Sequence, residues 1–372
     1  MTVAAAETRP SLLNSASSAQ LAQFAQDLAE KSLAGEELTR DEALAVLNWP
    51  ADDILTLMQG AFKVRQAAFG KKVKLNFLLN VQSGICPEDC GYCSQSRVSD
   101  APVDKYKLMG PDDILEAAEK AIANKATRLC MVASMRGPTD KDVNSVASAI
   151  RQVRETYPQL ELCACLGLLK DGQAEKLEEA GVTAYNHNLN TSERHYDDVC
   201  STHTFADRLD TVSKVQKAGI SACSGALFGM SETSDDIIEV GTRLREMQVE
   251  SIPVNFLVPV PGTPFVGKQE LTPIQCLRIL ALFRFLNPRA TLRIAGGREL
   301  HLRSLQPLGL YAANSIFVGD YLTTEGQAAN LDVEMIRDMG FELEGEIPGA
   351  EVVETASVGD LSERVKFTHR AG

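Results

Sequence analysis

Three cysteines, Cys86, Cys90 and Cys93, fall within eight residues in the run GICPEDCGYC. Soft thiolates select zinc, copper or iron–sulfur centres. A zinc ribbon needs two C-x-x-C pairs, and no second pair exists. A fully coordinated iron–sulfur cube needs a fourth ligand close by. Three thiols on one tight loop suit a 4Fe–4S cluster with one iron left open for an exogenous ligand. The competing reading is a set of buried structural cysteines, but Gly, Pro, Glu and Asp around them make a poor core.

Six cysteines remain, at 130, 163, 165, 200, 223 and 276. The total of nine is odd, the chain is long, and a disulfide framework is not expected. Cys130, Cys163 and Cys223 fall in separate β-prone runs, 33 and 60 residues apart. Arg293 interrupts another apolar run, and a cation buried there needs an anionic partner. Singly, a strand cysteine reads as a small core residue and a strand arginine as an ion pair at a barrel mouth. If the strands close into a barrel, the four side chains can converge inside it and form a second, unusual cluster site. Cys165 shares a face with Cys163, whereas Cys200 and Cys276 read as bystanders. A polar run, Tyr185-Asn186-His187-Asn188-Leu189-Asn190, ends another strand candidate, with His187 read as structural rather than as a ligand.

The elements that must position these groups alternate regularly. Strand candidates cover 74–80, 127–133, 161–167, 183–189, 220–226, 252–258, 291–296 and 314–319. Amphipathic stretches at 112–124, 140–156, 171–180, 204–218, 234–247, 272–286 and 328–339 lie between or after them. This pattern predicts parallel strands with crossover helices. Eight such units favour an α/β fold of the (β/α)8 barrel type with an N-terminal helical extension, although periodicity alone does not distinguish closure from an open sheet. Residues 1–36 read as a flexible arm with a short helix around 18–33, and 37–71 as N-terminal helices capped by Thr39 and broken at Pro50. The barrel spans 72–345, and 346–372 is a polar tail.

With 50 acidic against 37 basic side chains, the net charge of −13 argues against a nucleic-acid partner. No run is long and apolar enough for a membrane helix. The first twenty residues lack a basic start and an apolar core, so a cytoplasmic location is expected. No G-x-G-x-x-G, P-loop, H-E-x-x-H or nucleophile-elbow pattern occurs.

The triplet after a first strand resembles the radical S-adenosylmethionine superfamily. The words GICPEDCGYCSQS, YNHNLNTS, CSGALFGMSET, SIPVNFLVPVPGTP, RIAGGRE and LGLYAANSIFVGDYLTT narrow the likeness to the biotin synthase family, over roughly residues 40–343. The resemblance implies that Cys86, Cys90 and Cys93 hold a 4Fe–4S cluster that binds and cleaves S-adenosylmethionine. It implies that Cys130, Cys163, Cys223 and Arg293 hold a 2Fe–2S cluster that gives up sulfide to a dethiobiotin radical, making biotin. Asn188 and Asn190 would meet S-adenosylmethionine, with Asn188 also facing substrate. Some members carry Asp where Asn190 stands, which changes charge but keeps hydrogen bonding. Asn255 would bond the ureido ring, the Tyr92 backbone would meet adenine, and Ala133, Leu227 and Val258 would shape the cofactor site. A flavodoxin- or ferredoxin-like electron donor and a homodimer are implied as well. The rivals are another radical enzyme of the same superfamily, lacking sulfur insertion, and a non-catalytic iron–sulfur sensor.

Overall fold

The computed structural model describes residue 13 and residues 16–268 and 271–345. Among the described residues three α-helices come first: α1 (Ser18–Leu33), α2 (Arg40–Leu47) and α3 (Ile54–Phe69). Strands and helices then alternate as β1 (Lys72–Gln82), α4 (Pro111–Ala123), β2 (Arg128–Ala133), α5 (Asp140–Thr156), β3 (Glu161–Cys165), α6 (Gln173–Glu179), β4 (Ala184–Asn186) and α7 (Phe205–Lys217). The second half runs β5 (Ser221–Cys223), β6 (Ala226–Phe228), α8 (Ser234–Glu246), β7 (Ser251–Phe256), α9 (Pro273–Leu286) and β8 (Thr291–Ile294). Two short helices, α10 (Arg298–His301) and α11 (Gln306–Gly309), lead to β9 (Ser315–Val318), α12 (Ala329–Asp338) and β10 (Glu342–Leu343).

All pairings between these strands are parallel, and β1 pairs with both β2 and β9, so the sheet closes. The result is the eight-staved barrel with surrounding helices; β5 and β6 form one interrupted stave, and β10 adds a short pairing to the start of β1. The interruption has a steric cause. A Cβ on Gly225 would sit 1.9 Å from the Pro253 carbonyl oxygen, so only glycine lets that stave pass. Closure is reinforced by Asn76, whose Nδ2 donates to Ser315 Oγ (2.7 Å) and the Ile316 carbonyl (2.9 Å) across the β1–β9 seam.

The helices begin where the sequence places oxygen-bearing caps. Thr39, Thr139, Thr204, Thr233 and Thr272 each accept from the backbone three residues on, and an Asp, Glu or Gln there answers the cap. In α5 the buried set Val143, Val146, Ala147, Ile150 and Val153 is one helical stripe facing the sheet. Helix α9 is buried almost all round because it lies between the barrel and the N-terminal helices.

Residues 18–33 do not belong to a flexible arm. Helix α1 buries Leu21, Ala25, Leu28 and Ala29 against α3, and Ser32 Oγ donates to the Phe285 carbonyl at 2.6 Å. The low content of large apolar residues reflects close approach: a Cβ on Gly60 would lie 2.6 Å from the Ala25 carbonyl oxygen. The expected polar tail, 346–372, lies outside the described residues. Among the described residues, no helix is long and apolar enough to cross a membrane.

Candidate active site

Inside the barrel, Cys130, Cys163, Ala184, Cys223, Ala295 and Phe317 form their own buried cluster, separate from the core between strands and helices. Pleating explains the division, since alternate residues face opposite sides of a sheet. Leu129 and Leu162 join the outer core while Cys130 and Cys163 point inward, paired directly in register across β2 and β3. Cys163 sits in this cluster between Cys130 and Cys223, near enough for the three thiols to influence one another. Arg293 enters the same space from β8, with Nη1 3.9 Å from Cys223 Sγ, other nitrogens 3.3 Å from Ser251 Oγ and Ser315 Oγ, and its guanidinium over the Phe317 ring.

A second arginine, Arg128, joins this group. It lies two residues before Cys130, so period-2 alternation sends it to the same face, which is the signal that could have found it. Arg128 is buried and ion-paired to Glu161 at 2.7 Å, yet its Nη1 makes no hydrogen bond. The neighbouring Cys163 thiol pushes the Cys130 and Cys223 thiols down, helped by Arg293 and Arg128, while Cys163 is pushed up. Three soft sulfur donors facing two guanidiniums, one with an orphaned N–H, fit an anionic sulfide-rich iron centre.

The cysteine loop leaves β1 at the end where barrel enzymes place their chemistry. Gly91 N donates to the Val199 carbonyl (2.9 Å), and the Gly91 carbonyl accepts from Phe265 N (3.2 Å). A Cβ on Gly91 would sit 2.5 Å from the Phe265 ring, so the loop needs glycine to dock. Cys90 is buried, and Cys86 and Cys93 are partly exposed. Burial pushes the Cys86 thiol up to about 11 and raises Cys93. A loop of three thiols is the donor set for an iron–sulfur cube with one open position.

Both thiol sets open onto a single cavity of about 400 Å³. Cys86, Cys90 and Cys93 line it together with Cys130, Cys163 and Arg293; Cys223 is not in the lining and sits against Arg293. Asn188, Asn190 and Asn255 bring amides to the same space. Asn190 takes a positive φ of 70° and donates to the Tyr92 hydroxyl at 2.8 Å. Asn188 Oδ1 accepts from Gly225 N (3.1 Å) and Asn186 Nδ2 (3.0 Å). Asn255 bridges Gly296 N and the Ala226 carbonyl, joining β7 to both its neighbours. Ala133, Leu227 and Val258 complete an apolar side, and Cys165 also reaches the cavity.

Two expectations change. His187 is buried at the cavity with Nε2 unpartnered, so it is not a satisfied structural histidine. Cys200 is not a bystander, because its Sγ lies 3.7 Å from Cys90 Sγ and 3.3 Å from His203 Nδ1. Cys276 is buried on α9, away from the cavity lining. Arg208, also unforeseen, donates to the Asn188 carbonyl (2.8 Å) and to the Tyr196 hydroxyl, fixing the polar run from behind.

Residues 81–244 match the Radical SAM superfamily, and residues 253–342 match the Biotin and Thiamin Synthesis associated domain. A biotin synthase of Bacillus cytotoxicus is 56% identical over 317 residues, covering 85% of this chain and 95% of that one. The biotin synthase of Bacillus subtilis is 52% identical over 318 residues, with 86% and 95% covered. Among solved structures, methylornithine synthase superposes with a TM-score of 0.75 at 18% identity, over 86% of this chain and 98% of that one. A hydrogenase maturase from Carboxydothermus hydrogenoformans gives 0.73 at 19%, over 88% and 85%. At those identities the two structures speak for the fold alone.

Proposed function

The chain belongs to the biotin synthase family of radical S-adenosylmethionine enzymes, and from that premise we propose that its cavity is where sulfur enters dethiobiotin. The activity is the insertion of sulfur into dethiobiotin to form biotin, with S-adenosylmethionine, a 4Fe–4S cluster and a 2Fe–2S cluster as cofactors. The superfamily rival and the iron–sulfur sensor give way to relatives matched over nearly their whole length. When bound, the 4Fe–4S cluster supplies the electron that opens S-adenosylmethionine, and the 2Fe–2S cluster supplies the sulfur.

Cys86, Cys90 and Cys93 would hold the first cluster, and Cys130, Cys163, Cys223 and Arg293 the second. The observation that carries this assignment is that both thiol sets and three amides meet at one cavity. Arg293 has no carboxylate among its hydrogen-bond partners in the described residues, so a bound anionic centre would answer its charge. Asn188 and Asn190 would hydrogen-bond the ribose of S-adenosylmethionine, steadied by Arg208 and Tyr92. Asn255 uses one N–H and one carbonyl lone pair on the backbone. The amide keeps a second donor and acceptor for a ureido ring. Ala133, Leu227 and Val258 present apolar surface that keeps water from a reactive radical.

The reading includes a homodimer, a flavodoxin- or ferredoxin-like electron donor and a cytoplasmic location. Nine cysteines without a disulfide support a reducing compartment. The test is an iron and sulfide count with visible spectra on anaerobically reconstituted protein. Cys93→Ala should lose the cubane spectrum and keep the other, and Cys163→Ala should do the reverse. One variant losing both clusters while still folded would contradict the division of ligands.

A further inference from the structure

Behind the cysteine loop lies a second group of ligand-type side chains. Cys90, Cys200 and His203 are all buried, and each offers a ligand atom within 4.8 Å of the others. Cys90 Sγ and Cys200 Sγ are 3.7 Å apart, and Cys200 Sγ is 3.3 and 4.0 Å from Nδ1 and Nε2 of His203. A tetrahedral zinc ion, with bonds of about 2.3 Å to sulfur and 2.0–2.1 Å to nitrogen, separates its ligand atoms by roughly 3.5–3.8 Å. These side chains already stand close to that spacing.

Two carboxylates complete the surroundings. Glu88 Oε2 lies 2.5 Å from His203 Nδ1, the arrangement in which a carboxylate holds one ring N–H and turns the other nitrogen toward a metal. Glu88 is 5% exposed, and its Oε1 makes no hydrogen bond, with Arg136 Nε 3.6 Å away. Asp89 Oδ1 lies 3.2 Å from Cys200 Sγ but already accepts from Ser201 N, Thr202 N and Thr202 Oγ1, so it braces the cysteine from outside the ligand group. Glu88, Cys90 and His203 line the cavity, which gives an ion a way in.

We propose that Cys90, Cys200 and His203 Nε2 bind one divalent zinc-type cation in the cluster-free protein, with water from the cavity as fourth ligand and Glu88 holding the histidine. Binding transfers the two thiol protons to solvent and involves no electron transfer. Cys90 cannot serve both this ion and the 4Fe–4S cluster, so the two exclude each other. That exclusion rests on Cys90 being a cluster ligand; the binding of the ion does not.

The test uses the full-length, cluster-free chain with reduced thiols, titrated anaerobically with Co²⁺ and then displaced by Zn²⁺. Thiolate-to-cobalt and tetrahedral bands should appear in the wild type, in Cys276→Ser and in Cys163→Ser. Cys200→Ser and His203→Gln should each lose that component, and Glu88→Gln should weaken it ~10–100-fold. Equal affinity in wild type, Cys200→Ser and His203→Gln would overturn the site. In a second arm, one equivalent of Zn²⁺ added before iron and sulfide should slow cubane formation in the wild type and not in Cys200→Ser. If cobalt binding depends on Cys200 and His203 but zinc leaves cubane formation untouched, the exclusion falls, and Cys90 does not belong to both ligand sets.

Discussion

Arg128 and Arg293 bring two positive charges to three inward thiols, and they do so on unequal terms. Arg293 hydrogen-bonds hydroxyls and Cys223 and meets no carboxylate, whereas Arg128 is tied to Glu161 and keeps its Nη1 unpaired. Losing a charge-assisted contact of this kind costs about 1.5–3 kcal/mol, or ~10–100-fold. Arg128→Met should therefore lower biotin formed per turnover by at least ~10-fold while 5′-deoxyadenosine formation persists. Parallel assays for the two products would show this, and equal loss of both would place Arg128 in general stability instead. The cysteines and Arg293 were legible because thiols and a cation in apolar strands are conspicuous. Arg128 was not, because it stands at a strand's first residue and looks like an edge charge. Cys200 is hidden for a different reason: His203 follows it by three residues, but Cys90 meets the pair only when the loop after β1 docks on residue 199, which no local pattern records.

At the scale of elements, the strand–helix order was readable from periodicity, and the observed bounds fall within a few residues of expectation. The caps explain why. Asp236 answers Thr233 at the start of α8, accepts from Ser192 Oγ (2.5 Å) and pairs with Arg194, so one carboxylate joins a helix start to the loop after the polar run. Burial opposes its charge, but the hydrogen bonds from Ser192 and Thr233 and the Arg194 cation hold it below the ordinary value of 3.8. A depressed carboxylate stabilises the fold above its unfolded value, and that contribution is lost as pH falls through the folded one. Asp236→Asn should cost about 1–2 kcal/mol at neutral pH, read by denaturant unfolding. The gap from wild type should shrink as pH drops below 3.8; a gap constant with pH would remove the ionic part of the explanation. The split stave of β5 and β6 was not readable, because the Gly225–Pro253 contact that breaks it is between strands.

For the whole molecule, barrel closure and the seat of the N-terminal helices decide whether the cavity exists. Neither has a local signature. Closure depends on the β1–β9 register, and the α1–α3 packing depends on Ala25 meeting Gly60 at a distance that larger residues would forbid. An alanine-rich stretch therefore looked mobile in sequence although it lies against the structure. Gly60→Val should push the two helices apart and destabilise the protein by about 1–3 kcal/mol, seen as an earlier unfolding midpoint. Unchanged stability would mean that α1 contributes little to the fold. Family membership, the closed barrel and the shared cavity together make one central claim, that one chamber both generates the radical and delivers the sulfur. The most direct measurement is an anaerobic single turnover with both clusters loaded, S-adenosylmethionine, dethiobiotin and a reduced flavodoxin, followed by mass spectrometry. The account predicts biotin together with 5′-deoxyadenosine and methionine, and for Cys223→Ala 5′-deoxyadenosine without biotin. A wild-type chain with both clusters verified that yields 5′-deoxyadenosine but neither biotin nor a thiolated intermediate would contradict it.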